Sequence, residues 1–487
     1  MKRIIFGVVA LVVIIAAIVL IRTVTIAVPA PLTAGAPPIS VNSMEVAQHL
    51  AAAVRFKTIS YGGGAHEDDK NAQLDALRSW MEQTYPYFHR VATREVIGKS
   101  LLFTWKGKNP NEAPILLMAH MDVVPVVPGT EKDWAHAPFS GDIAGGFVWG
   151  RGSIDDKGCL ITILDAAERL AHDGFTPERT IMFAFGQDEE VGGSAGNANV
   201  AKVLMARHTH LSWVLDEGGA ILDEPFPGVQ QPVAVVAVAE KGYLTLQIVA
   251  HGTGGHSSRP SHDMAILRLS DAVEKVVGHP FSSGLDAIQR EKFSVLAPTM
   301  PFFQRMLLAN LWLTAPIVTR MLEDQTEMAA RLHTTIAPTM ISGGVKDNVL
   351  PPTATATINF RLHQRDTIQG VIEHVRKAIN DPRVDVNALN ETQSEASKVS
   401  DLHDANGKYL VAAIEDSFGG IAVAPDITTG ATDSRHYLPI ADDVFRLDPF
   451  HMGPDDLGRV HGTNERLAIG DLGPAVGFYM RLMQNLK

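Results

Sequence analysis

Three short apolar runs in the first half of the chain constrain its fold more than any other feature. They read APILLMA, TIMFAFG and LSWVLDE, and the chain around them alternates between helical patterns and short strands. Strands that are apolar along their whole length are typical of sheets covered on both faces, and alternation with helices is typical of parallel sheets. The sequence therefore predicts an α/β fold with a central sheet flanked by helices.

Polar side chains follow each of these runs, and more of them open the next helix and precede the last one. These candidate site residues are His120, Asp122, Asp155, Glu189, Glu190, Asp216 and His461. Ligands bind beyond the carboxyl ends of parallel strands, so these groups are expected to meet in one crevice. Acidic residues in register with two histidines predict a metal site rather than solvated loops.

Charge and cysteine content exclude some classes of partner and some kinds of metal site. The formal net charge of -12 argues against a nucleic acid partner, which would need clustered lysine and arginine. Cys159 is the single cysteine, so an intrachain disulfide and a zinc site built from several cysteines are both excluded. Histidine and carboxylate remain as the main ligands for a metal.

The amino terminus predicts a transmembrane anchor over residues 1–22. An unbroken apolar run extends from Ile4 to Ile21, long enough to span a bilayer, and Lys2 and Arg3 favour a cytoplasmic amino terminus. A cleavable signal, with AVPA as the cleavage site, and a buried core helix are the alternatives. A single-pass protein is expected, with residues 23–40 as a Pro/Ala-rich tether and an exported (periplasmic, extracellular or lumenal) catalytic domain.

The rest of the chain divides by its periodicity. In residues 41–241 and 364–487, helical patterns alternate with strand patterns, and these two segments are expected to form the two parts of the catalytic domain. In residues 242–363, apolar and polar residues alternate at period two on either side of an amphipathic helix. The middle segment is expected to be an inserted, smaller α+β domain. Within it, Phe281–His333 is rich in Phe, Met, Leu and Trp, which favours either a subdomain core or a wall that faces lipid or an apolar substrate.

Six motifs carry a resemblance to a known family. HMDVVPV, GRGSIDDKG, DEEVGG, LDEGG, GTGGHSSRP and HGTNE occur in this order after Val41. They resemble, in order and spacing, the motifs of the zinc-dependent exopeptidases, aminoacylases and deacylases. GSIDDK and TTGATDSRHY are most similar to the branch of carboxypeptidase S and N-fatty-acyl-amino-acid synthase/hydrolase. The resemblance implies a zinc-exopeptidase-like sheet, and an insert that serves as a dimerisation or lid domain.

The resemblance also implies a metal centre with two zinc ions per subunit, for which cobalt or manganese could substitute. His120 and Asp216 would hold one ion, Glu190 and His461 the other, and Asp155 would bridge them. The implied roles of the other residues are orientation of His120 by Asp122, general base catalysis by Glu189 and oxyanion stabilisation by His256, the last often across a homodimer interface. Substrate contacts are implied for Asn348, Arg361, Gly430 and Arg435.

The expected function is hydrolysis of an amide bond next to a free carboxylate. Carboxypeptidase activity on small peptides and hydrolysis or synthesis of N-acyl amino acids both remain open, and the apolar insert tilts the expectation toward hydrophobic groups. A catalytically inactive binding protein is disfavoured because every presumptive ligand and the base are present. A lipid-interacting scaffold that uses Phe281–His333 is the other alternative.

Overall fold

The fold is that of a computed structural model, which describes residues 2–32, 36–229, 231–389 and 393–486. In chain order the helices are α1 Lys2–Thr25, α2 Ser43–Val54, α3 Glu67–Thr84, α4 Pro86–Val91, α5 Lys157–His172, α6 Asn197–Ala206, α7 Ala265–Val277, α8 Ala287–Leu296, α9 Phe302–Leu308, α10 Leu311–Glu323, α11 Thr326–Ala329, α12 Ile368–Ile379, α13 Ala405–Ser417, α14 Pro454–Leu457 and α15 Ile469–Gln484. The strands are β1 Thr93–Ile97, β2 Ser100–Trp105, β3 Ile115–His120, β4 Asp142–Ala144, β5 Phe147–Trp149, β6 Ile181–Gly186, β7 Leu211–Leu222, β8 Val233–Glu240, β9 Gly242–His251, β10 Gly255–His256, β11 Thr335–Gly343, β12 Val349–Leu350, β13 Thr353–Leu362, β14 Val384–Ala388, β15 Ala422–Thr428, β16 Ala441–Met452 and β17 Arg466–Ala468.

The largest sheet has the strand order β1-β2-β6-β3-β7-β16-β8-β15. Strand β3 pairs in parallel with β6 and β7, and β16 pairs in parallel with β7. The three apolar runs predicted as strands are therefore neighbours that point the same way. Their carboxyl ends lie at one edge of the sheet, which confirms the expected crevice.

Burial on both faces explains why these strands are apolar throughout. Leu117 of β3 lies in a core cluster with Leu164 of α5, while its neighbour Leu116 packs on the opposite face with Leu204 of α6. Alternate side chains of a strand point to opposite faces, so both must be apolar when helices cover both. Helix α5 ends at His172, and Gly174 two residues later has a φ of +75°, which is typical of the glycine that follows the end of a helix.

The smaller sheet has the order β11-β13-β9-β14 and is antiparallel. Leu244, Leu246 and Ile248 of β9 are buried beneath α7 and α12, while the positions between them are partly exposed. This confirms the period-two prediction. The predicted limit of the insert at residue 363 is too early, because α12 packs on this sheet and β14 pairs with β9. A pairing between strands so distant in sequence leaves no local signal.

Most of the apolar segment 281–333 packs against the large sheet, whereas Phe281 at its start packs in the core of the small sheet. Phe293, Leu296 and Val318 share a core cluster with Val233 of β8 and Ala424 of β15. The segment therefore has a buried side, but most of it belongs to a core shared with the large sheet and not to the core of the inserted subdomain as predicted. The opposite side of α9 and α10 exposes large apolar residues.

Helix α1 is 24 residues long, and among the described residues it is the one helix long and apolar enough to cross a membrane. The segment predicted as a Pro/Ala-rich tether, residues 23–40, contacts the catalytic domain in its described part. The backbone N–H of Leu32 donates to Glu415 Oε2 at 2.7 Å, and that of Ala36 donates to Asp416 Oδ1 at 3.0 Å. Carboxylates at the end of α13 therefore hold this segment against the catalytic domain.

Candidate metal centre

Two histidines approach one carboxylate at the carboxyl edge of the large sheet. His120 ends β3 and is buried, and its Nε2 lies 2.8 Å from Asp155 Oδ1. The other oxygen, Asp155 Oδ2, lies 2.9 Å from Nε2 of His461 in the loop before β17. A carboxylate placed in this way between two imidazoles has the geometry of the predicted bridging ligand.

A second carboxylate faces each histidine. Glu190 Oε2 lies 3.1 Å from His461 Nε2, and its Oε1 accepts a hydrogen bond from the Val124 N–H at 3.0 Å. Glu217 Oε1 lies 3.4 Å from His120 Nε2. The centre therefore contains two similar halves, His120 with Glu217 and His461 with Glu190, with Asp155 between them.

Asp122 organises the loops around the centre. Its carboxylate accepts hydrogen bonds from Ser60 Oγ at 2.6 Å and from the backbone N–H groups of Glu189 and Glu190 at 3.1 and 3.3 Å. The Nδ1 of His120 lies 3.0 Å from the Asp122 carbonyl oxygen and 3.5 Å from its carboxylate. These contacts fit the predicted orienting role, because a partner at Nδ1 sets the tautomer that leaves Nε2 free to bind a metal.

Glu465 and Arg151 hold the loop that carries Asp155. Glu465 Oε1 accepts hydrogen bonds from the backbone N–H groups of Ile154 and Asp155 at 2.9 and 3.2 Å, and its Oε2 pairs with Arg151 Nη1 at 2.5 Å. All of the Glu465 side chain is buried. Both residues lie inside the quoted motifs GRGSIDDKG and HGTNE, yet nothing in those letters alone distinguishes a supporting residue from a ligand.

The charged groups of the centre shift the pKa values of its two histidines and of Glu189. Hydrogen bonds to Asp155 and Glu190 raise the pKa of His461 to about 10. Burial lowers the pKa of His120, but the carboxylates of Glu217, Asp122 and Asp155 outweigh it and raise that pKa well above the ordinary value. Desolvation, helped by Asp433 and Glu190 and opposed by His120, raises the pKa of Glu189 well above that of a free carboxylate.

The donor atoms fit a divalent cation. One ligand atom from each of His120, Asp155 and Glu190 lies within 4.8 Å of the others, and the same holds for His120, Asp156 and Glu217. Among the described residues Asp156 Oδ1 is buried without a hydrogen-bond partner. Unpaired buried carboxylates are costly unless a cation compensates them. Nitrogen and oxygen donors of this kind suit zinc, cobalt or manganese.

Residues 116–485 match Peptidase family M20/M25/M40. The chain belongs to peptidase family M20. It is therefore an enzyme of a family that is generally dimetal-dependent, and the paired carboxylates and histidines are candidate metal-binding groups in this chain.

Similar proteins fall in the branch indicated by the sequence motifs. The M20 chain is 37% identical over 451 residues to the probable carboxypeptidase S-like 2 of Dictyostelium discoideum, covering 92% of this chain and 86% of that protein. It is 35% identical over 448 residues to the N-fatty-acyl-amino acid synthase/hydrolase PM20D1 of Xenopus tropicalis, covering 91% and 86%. An M20 metallo-carboxypeptidase from Sulfolobus solfataricus shares the fold, with a TM-score of 0.61 at 18% identity, covering 90% of this chain and 98% of that one.

Asp216 is the one predicted ligand of the M20 chain for which the described contacts show no ion pair with either histidine. Its carboxylate accepts a hydrogen bond from the Ser434 N–H at 2.8 Å, and the adjacent Glu217 faces His120 instead. The pairing of β7 with β16 moves from Asp216 directly to Ala220, which leaves Glu217 in a bulge. Bulges re-aim side chains, so alternation along the strand does not identify the ligand.

The predicted substrate residues are spread over the M20 fold. Arg435 donates to the Gly192 carbonyl oxygen at 2.6 Å, in the loop that follows Glu190. The guanidinium of Arg361 lies over the Tyr243 ring, 4.6 Å from its centre. Gly430 is exposed, with open space where a side chain would be. Among these, the described contacts bring only Arg435 to a metal-centre loop.

His256 and Asn348 form part of a separate two-stranded ribbon. Strand β10 pairs with β12, and the Ser257 N–H donates to the Asn348 carbonyl oxygen at 3.2 Å. The exposed ring of His256 lies with its Nδ1 2.8 Å from Ser258 Oγ. These contacts are local to the ribbon, so within one chain the described residues give His256 no contact with the metal ligands.

A cavity of about 250 Å³ opens beside the metal centre of the M20 chain. Its charged lining residues are Asp155, Glu217, Arg331, Asp426 and Asp448. Most of the other lining side chains are apolar, namely Ile154, Ala220, Leu222, Val235, Ala237, Ile427, Met452, Leu457 and Val460. Such a cavity has room for an apolar group beside the metal centre.

Proposed function

We propose that this protein is a dizinc amidohydrolase that cleaves the amide bond next to a free carboxylate, as a carboxypeptidase of the carboxypeptidase S type. The observation that carries the proposal is the position of Asp155 between His120 and His461, at 2.8 and 2.9 Å. Glu217 and Glu190 supply the remaining donors. A catalytically inactive binding protein would not need both halves of this donor set and the intact base.

The proposed ligands follow the two halves of the centre. His120 and Glu217 would hold one zinc ion, His461 and Glu190 would hold the other, and Asp155 would be shared. When bound, zinc ions at such a site supply Lewis acidity toward the amide carbonyl and lower the pKa of water. Cobalt or manganese would fit the same donors.

Glu189 is the proposed general base. Asp122 positions it through the backbone N–H at 3.1 Å, and burial raises the pKa of the Glu189 carboxylate, which makes it a stronger base than a free carboxylate. The Glu189 carboxylate takes a proton from the attacking water and returns it to the leaving amine. No other carboxylate is required to move a proton in this scheme.

N-acyl amino acids are the second candidate substrates, and the apolar cavity beside Asp155 and Glu217 favours them. The acyl chain would lie against its apolar wall. Arginine guanidinium is well shaped to bind the free carboxylate shared by both substrate classes. Arg361 and Arg435 are the proposed groups for that contact, with Asn348 and Gly430 as further substrate contacts.

Helix α1 is proposed to anchor the protein, with its amino terminus in the cytoplasm and the catalytic domain exported. The anchor would determine location only, since every proposed ligand lies beyond residue 40.

A direct test compares dipeptides with N-acyl amino acids of increasing acyl length, before and after chelation. We expect hydrolysis of substrates that have a free carboxylate, loss of activity with chelator and its return with zinc. Amidated versions of the same substrates serve as matched controls and should react poorly. Hydrolysis that survives complete metal removal would contradict the proposal.

Variants at residues 216 and 217 test the assignment of the ligand. Glu217→Ala is expected to lower zinc content from about two ions to about one per chain, because the His120 half loses its carboxylate. Asp216→Asn should retain both ions, since its contact is with the Ser434 N–H. Metal content is measured by elemental analysis of purified protein. A zinc loss confined to the Asp216→Asn variant would reverse the assignment.

His256 is the proposed oxyanion donor, contributed by the partner subunit of a homodimer. Edge strand β11 exposes Met340 and Ile341, with 69% and 71% of each residue accessible, and such an edge is suited to pairing between copies. His256→Ala is expected to lower kcat by about 10²–10³-fold with unchanged zinc content.

Mixing two inactive variants tests whether the donor acts across subunits. Dimers that combine Glu189→Gln with His256→Ala should recover part of the activity, because one active site then contains both the base and the donor. The matched control mixes His256→Ala with itself at the same concentration. Absence of recovery in verified mixed dimers would place His256 within its own chain or outside catalysis.

A further inference from the structure

Helices α9 and α10 carry apolar residues on their outer side as well as on their buried side. The buried side includes Leu308, Leu311, Val318 and Leu322. The outer side exposes a set that we term the apolar ridge: Phe302, Phe303, Trp312, Leu313, Ile317 and Met321, each between 47% and 71% accessible. A surface helix normally presents polar residues to solvent, so an apolar outer side indicates a partner.

The ridge residues of α10 form one stripe. Trp312, Leu313, Ile317 and Met321 are separated by one, four and four residues, which places them along one side of a helix. Between residues 302 and 321 the charged side chains are two arginines, Arg305 and Arg320, and no aspartate or glutamate occurs. This stretch therefore lacks acidic residues in a chain whose net charge is -12.

The corner between α9 and α10 contacts the end of α1. Asn310 Nδ2 donates to Thr23 Oγ1 at 3.2 Å, and Arg22 Nε donates to the Ala309 carbonyl oxygen at 3.2 Å. Thr23 is fully buried by this contact. Trp312 and Leu313 follow Asn310 within one helical turn, so the ridge begins at the point where α1 reaches the domain.

We propose that the apolar ridge inserts into the lipid bilayer beside the end of α1, so that the domain rests on the membrane at this surface. The apolar run of α1 ends at Ile21, and Arg22 marks the boundary between hydrocarbon and headgroups. Residues bonded to this end lie at the same depth. Tryptophan and phenylalanine suit that depth, and acidic residues appear only at the end of α10, from Glu323 onward.

Trp312 provides a native probe for this contact. It is 52% accessible. In contrast, at most 9% of each of four other tryptophans is accessible, namely Trp105, Trp134, Trp149 and Trp213. The full chain is reconstituted into vesicles of phosphatidylcholine and phosphatidylglycerol, with and without bromine on the acyl chains. The fluorescence difference between wild type and Trp312→Phe isolates the signal of residue 312.

We expect brominated lipids to quench at least about half of this difference signal, because an interfacial indole lies near the acyl chains. Quenching by aqueous acrylamide with no effect of bromine would overturn the proposal, since it would place Trp312 in water. Protection from both quenchers would also overturn it, and would indicate a second protein copy on the ridge.

A charged variant provides the second measurement. Ile317→Glu is expected to lower bromine quenching of Trp312 at least about twofold, because a carboxylate resists transfer into the bilayer. Val96→Glu, at an exposed apolar residue of β1, is the matched control and should leave quenching unchanged. Circular dichroism verifies that each variant is folded. Equal quenching in wild type and a folded Ile317→Glu variant would contradict insertion of the ridge.

Discussion

Glu189→Gln is expected to lower kcat by about 10²–10⁴-fold while metal content stays at the wild-type level. Glutamine occupies nearly the same volume but cannot accept a proton from the attacking water. Its backbone N–H still donates to Asp122, so the loop that carries Glu190 keeps its position. The measurement is kcat on the best substrate, with elemental analysis of the same sample.

Glu274→Gln is the matched control for this variant. Glu274 is an exposed residue of α7, and the same chemical change there should leave kcat unaltered. Turnover near the wild-type value in a Glu189→Gln sample with full metal content would contradict the assignment of the general base.

Asp155→Ala is expected to have the larger effect, with metal content falling below about one ion per chain and activity below that of Glu189→Gln. One carboxylate oxygen of Asp155 lies next to His120 and the other lies next to His461. Removing the side chain takes a ligand from each half of the centre at once. Elemental analysis and kcat are measured on the same preparation.

The control for Asp155→Ala is Asp68→Ala, at an exposed residue of α3, which should keep its metal and its activity. Full zinc occupancy in Asp155→Ala would contradict the shared role. Loss of only one ion would show that Asp155 belongs to one half alone.

The central sheet could be predicted because burial on both faces determines the residue types along each strand. β3, β6 and β7 are covered on both faces, so each appears as an uninterrupted apolar run. The positions of His120, Asp155, Glu190 and His461 followed from their place after strands or beside helices, together with the family resemblance. The structure brings these four side chains within hydrogen-bonding distance of one another in pairs.

Other features depend on contacts between distant parts of the chain. The bulge in β7 turns Glu217, and not Asp216, toward His120, and it exists because of the register with β16. Strand β14 joins the small sheet through β9, well beyond the predicted limit at residue 363. Neither pairing leaves a periodic signal in the residues involved.

The surroundings of the segment after α1 and of the apolar ridge also could not be predicted from the sequence. Composition alone predicted a proline-rich tether, yet Glu415 and Asp416 of α13 bind its backbone. Composition also predicted an apolar segment at 281–333, but only the packing of α9 and α10 separates its buried side from its exposed one. Residue type and local periodicity determined the strands, the candidate ligands and the apolar helix, because these depend on burial and chemistry along the chain. Tertiary contacts decided which face each residue occupies, its strand register and its neighbours. These features depend on residues hundreds of positions away in the sequence.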